Sequence, residues 1–63
     1  MTLAQYIETL ASDGVIVDTV RMNPPPEEGL GVTVELYPEP EPFAELFSGG
    51  LLVARVNLGW VAR

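Results

Sequence analysis

The chain contains no cysteine, no histidine and no lysine, and its only cationic side chains are Arg21, Arg55 and Arg63. Each absence removes a class of chemistry. Without cysteine there is no disulfide to staple the fold, no thiolate nucleophile and no thiolate metal ligand. Without histidine the usual general base and the commonest transition-metal ligand are missing, which leaves Ser12 and Ser48 without a partner for nucleophilic catalysis. Three arginines against nine carboxylates give a net charge of −6. Such a chain is repelled by phosphate backbones, because it cannot supply the counterion release that drives nucleic-acid binding. No stretch approaches the ~20 apolar residues of a membrane span. The N-terminal stretch carries Glu8 and Asp13 rather than a basic region and an apolar run, so no secretory leader is read there and the cytoplasm is the expected compartment.

Sixty-three residues suffice for one small domain, residues 1–63, which buries only about 60% of the surface its unfolded form exposes. With 48% hydrophobic residues the chain is expected to fold despite its six prolines, although no disulfide or transition-metal site reinforces it.

The first element reads as a helix. Thr2 and Gln5 form the T-x-x-Q pattern of a capping box, in which each residue satisfies a backbone donor that the first turn leaves unpaired. Leu3, Tyr6, Ile7, Leu10 and Ala11 recur at helical spacing on one stripe, with Gln5, Glu8, Thr9 and Ser12 facing away. Gly14 is placed to end the helix in the left-handed conformation. Three strands follow. Residues 15–22 are rich in β-branched side chains, with Ile16, Val20 and Met22 on one face. Asp18 interrupts that face, so either it lies at a strand margin or bulge, or the inward face begins with Val15 and Val17. Residues 30–37 alternate, with Leu30, Val32, Val34 and Leu36 on one side and Thr33, Glu35 and Tyr37 on the other. Residues 51–61 alternate as well, which puts Leu52, Ala54, Val56, Leu58 and Trp60 inward. Between the strands lie two proline-rich segments, residues 23–29 and 38–42. Pro42 suits the first position of a short helix uniting Phe43, Leu46 and Phe47 and ending at Ser48-Gly49-Gly50. The expected fold is α+β: an N-terminal helix packed on a three-stranded antiparallel sheet, in the order α-β-β-short α-β.

No catalytic, cofactor-binding or metal-binding residues are assigned. Glu27, Glu28, Glu39 and Glu41 are the candidates for paired-carboxylate chemistry, but they fall in exposed-looking loops. In an antiparallel hairpin the two loops leave opposite ends of the sheet, roughly 27 Å apart. The Glu27-Glu28-Gly29 stretch lacks the spacing of a calcium loop, the glycines lack the lysine of a phosphate-binding loop, and no two prolines have P-x-x-P spacing. The prolines stiffen connections and lower the entropy of the unfolded chain.

Two surfaces remain for a partner. One is acidic: Asp13, Glu39, Glu41 and Glu45 are expected near one another, on stiff segments able to mimic phosphates. The other is the uncovered sheet face, where Val17, Tyr37 and Val53 stand among Arg21, Glu35 and Arg55 and form a mildly apolar patch. In size, acidity and lack of lysine the chain is similar to phage-encoded inhibitors such as anti-CRISPR proteins. That similarity covers size and charge alone and transfers no functional residue. The expected function is a non-enzymatic protein-binding domain that blocks a basic or nucleic-acid-binding protein surface, with no direct contact to nucleic acid or membrane. The alternative is a small structural module that self-associates, as a homodimer, through its open sheet face or an edge strand.

Overall fold

The computed structural model describes residues 1–61. One helix, α1 (Leu3–Ser12), precedes four strands: β1 (Thr19–Met22), β2 (Thr33–Leu36), β3 (Phe43–Ser48) and β4 (Leu51–Asn57). The sheet order is β2-β1-β3-β4; β1 and β2 are parallel, and the other two pairs are antiparallel. The class is α+β with an N-terminal helix, as the sequence implies, but the sheet has four strands and is mixed.

Local chemistry sets the helix. Thr2 Oγ1 accepts from the Gln5 N–H at 3.1 Å and Gln5 Oε1 accepts from the Thr2 N–H at 2.8 Å, which completes the capping box. At the other end Gly14, at φ +87°, donates to the Ala11 carbonyl and Val15 to that of Leu10. These are the two bonds of a Schellman motif, and the positive φ suits glycine. Leu3 and Ile7 join Val17, Val20, Met22, Ala44, Leu46, Val56 and Leu58 in one core, so α1 covers a single face of the sheet.

The expected short helix after Pro42 is β3 instead, a central strand. Phe43, Leu46 and Phe47 do share a helical side, but Ala44 and Leu46 also alternate, and both are fully buried. Six residues gain little from a helix that is costly to nucleate, whereas β1 and β4 offer ladder bonds on both sides. Gly49 and Gly50, at φ +58° and +82°, close the β3–β4 hairpin. Two successive residues at positive φ match the twist of antiparallel strands.

Three further expectations are corrected. In residues 15–22 the strand begins only at Thr19. Val17 is buried at 5% exposure and Ile16 is exposed, so the inward face does begin with Val17, and Asp18 sits at the strand margin. In residues 30–37, Leu30 and Val32 pack on the core from the crossover ahead of β2, while Leu36, at the end of an edge strand, is exposed. In residues 51–61, Leu46 pairs with Ala54 but Phe47 with Leu52. Val53 is therefore an extra residue, and the bulge turns Leu52 away from the core. Trp60 is not a core residue: β4 ends at Asn57, a turn follows in which the Trp60 N–H bonds the Asn57 carbonyl, and the indole is 85% exposed.

Because β3 is central, Leu46→Ala should cost about 2–5 kcal/mol in unfolding free energy, as read by denaturant titration. The same truncation at exposed Leu51 should stay within about 0.5 kcal/mol.

Candidate functional site

Pairing register builds the open face. Arg21 lies opposite both Glu35 and Glu45, and Glu45 lies opposite Arg55, so one row of charge alternates in sign across the four strands. Cross-strand pairs of opposite charge favour this register. The aromatic side chains tie the row together. The Arg21 guanidinium stands 4.9 Å from the centre of the Tyr37 ring, and that of Arg55 stands 3.7 Å from the centre of Phe43. The two rings meet edge to face at 5.8 Å, a favourable quadrupole arrangement. The Tyr37 hydroxyl donates to Glu45 Oε1. Tyr37 thus lies on the expected face but is 9% exposed. It covers the centre of the face, and these five side chains are engaged with one another rather than free for a partner. Burial, then the hydrogen bond to Glu45 and its negative charge, push the phenol up to about 12. At ordinary pH it is a neutral hydrogen-bond donor.

Beside this layer, Asp18, Thr19, Arg21, Glu35, Leu36, Phe47 and Gly50 line a shallow depression of about 390 Å³. Asp18 is committed to the fold. Its Oδ2 accepts from the Gly49 N–H at 2.6 Å, and its Oδ1 from the Thr19 hydroxyl at 2.9 Å. The Gly49 bond, reinforced by Thr19, holds the carboxyl below its ordinary value of 3.8. The residue that spoils the apolar pattern of its segment therefore fastens the β3–β4 turn to the start of β1.

Parallel pairing of β1 and β2 overturns the expected layout of the acids. Both strands leave the sheet at the same end, and so do the two proline-rich segments that follow them. Asn23 joins these segments. Its side-chain amide donates to the Tyr37 carbonyl at 2.8 Å, and its own carbonyl accepts from the Glu41 N–H at 3.0 Å. Asp13 lies on the chain entering β1, at the opposite end of the sheet from Glu39 and Glu41, and Glu45 belongs to the open face. The four residues expected to cluster are thus divided among three places. Val17 is in the core, and Val53 is exposed at the β4 bulge. Glu27 and Glu28 lie on the first proline-rich segment and Glu39 and Glu41 on the second; all are exposed except the half-buried Glu41.

Among the described residues no three carboxylates come within reach of one metal ion, and no helix is long and apolar enough to cross a membrane. No family model, no curated protein and no solved structure matches the chain. Geometry and charge therefore carry the functional reading. Asn23 was missed as a joining residue because its role depends on a strand pairing that no local pattern specifies. The break in alternation at Asp18 did signal a special position.

Two pH dependences follow. Tyr37 is raised in the folded state, so its contribution to stability is full below the ordinary tyrosine value of 10.0 and is lost as pH rises toward about 12. In a Tyr6→Phe background, where Tyr37 is the only tyrosine, phenolate absorbance should appear only near that upper value. Asp18 is lowered, so its contribution is present above 3.8 and disappears as pH falls through the lowered value. Asp18→Ala should accordingly reduce the unfolding midpoint near neutrality, with the difference from the unaltered chain shrinking as pH falls below 3.8.

Proposed function

We propose that the chain is a non-enzymatic binding protein that seats its acidic, proline-stiffened end on a basic or nucleic-acid-binding protein surface and blocks it. On this reading it is an inhibitor of the phage-encoded, anti-CRISPR kind, acting in the cytoplasm. The observation that supports the reading is the joining of the two acidic segments by Asn23 at one end of the sheet. Proline-rich chain held by hydrogen bonds loses little entropy when it docks, so more of the interaction energy is kept as affinity. A net charge of −6 steers the domain toward positive surfaces and away from phosphate. The carboxylates act by position and charge, and the reading requires no acid, base or metal.

The test is a pull-down from host lysate across a salt series, with Glu27→Lys/Glu39→Lys against Glu8→Lys on the outer side of α1. The expected result is a partner retained at low salt and released at high salt. The double substitution should weaken retention about tenfold or more while the helix substitution has little effect. Retention that ignores salt, or that both variants weaken alike, would remove this mechanism.

A further inference from the structure

The two edges of the sheet are guarded differently. β2 is four residues long, carries Glu35 and is followed closely by Pro38. Short length, charge and proline are devices that keep an edge from pairing with another chain. β4 is seven residues long and has neither proline nor carboxylate. It opens with exposed Leu51, Leu52 and Val53, and exposed Trp60 stands just past its end. Its outer ladder is free of pairing within the sheet. The Leu58 N–H bonds the Pro42 carbonyl at 2.9 Å, so the alternation of antiparallel pairs directs the backbone groups of Ala54 and Val56 toward β3 and those of Arg55 and Asn57 outward.

We propose that β4 pairs antiparallel with β4 of a second copy, joining the two sheets into one. Three features favour a second copy as the occupant. A two-fold axis sets the start of one strand against the end of the other, so Leu51 and Leu52 of each copy approach the partner strand's Trp60 end; the apolar groups at the two ends of the strand complement one another. Pairing along β4 brings no carboxylates face to face, which matters in a chain carrying −6, whereas β2 would set Glu35 near its own copy. Covering the four exposed apolar side chains in both copies buries on the order of 1,000 Å², at the lower limit for a specific interface. The association is therefore weak and concentration-dependent.

Sedimentation over a micromolar-to-millimolar series tests this. The unaltered chain should rise from the 6.8 kDa monomer toward twice that mass. Val53→Lys should raise the dissociation constant by about tenfold or more, and Leu36→Lys on the other edge should not. Should Val53→Lys lose its fold by circular dichroism, amide exchange of the unaltered chain decides: Arg55 and Asn57 should gain protection with concentration. A monomer throughout, equal effects of the two lysines, or unprotected Arg55 and Asn57 amides in the associated form would each overturn the proposal.

Discussion

The arrangement depends on how six residues, Phe43–Ser48, reconcile two demands. Ala44 and Leu46 must leave water, while Phe43, Glu45 and Phe47 must not crowd the same core. Only an extended conformation separates these sets onto two faces. Once extended between β1 and β4, the segment occupies one side of β1, and β2 has only the other side left. The chain leaving β1 then returns before it can pair, which makes β1 and β2 parallel. Residues 23–32 form that return, with Leu30 and Val32 packed on the core.

This order of events explains why the surface differs from a simple meander. A hairpin would send the two proline-rich segments to opposite ends and bring Glu39 near Asp13. The parallel pair reverses both outcomes. The acidic end is a consequence of strand topology, and Asn23 secures it with two hydrogen bonds. The same topology places Tyr37, the residue just after β2, over the middle of the open face, where Arg21, Phe43 and Glu45 receive it.

What the sequence made legible was local. The capping box at Thr2 and Gln5 and the helix end at Gly14 each depend on neighbours a few residues apart, and each is present in the fold. Of the alternation read in Thr33–Leu36, Val34 packs on the core but Leu36 does not. Asp18 was legible as an irregularity, though its bond to Gly49 was not. Residues 43–48 fit both a helical and a strand period, and only the ladders of β1 and β4 decide between them. The Gly49-Gly50 pair carried a hairpin signal that reads equally as a helix end. Leu52 was misplaced because alternation was carried through a bulge at Val53, and Trp60 because it was carried past the turn that follows Asn57. For the acidic residues the obstacle was of another kind: their grouping follows from strand pairing at long range, which hydrophobic periodicity does not encode.

Charge and exposure then divide the molecule between its ends and its edges. Carboxylates stand at both ends and on the outer side of α1; the open face balances Glu35 and Glu45 against Arg21 and Arg55; β4 carries no carboxylate. A domain with this little core gains from grouping Leu51, Leu52, Val53 and Trp60, four of its exposed apolar side chains, on a strip that negative charge does not disturb. The strip and the proline-stiffened end also involve different residues, so contact along β4 leaves Glu27, Glu28 and Glu39 available. Two copies joined edge to edge would present two acidic ends, and a basic surface long enough to reach both would bind by avidity, with affinity set by their separation as much as by the charge of either.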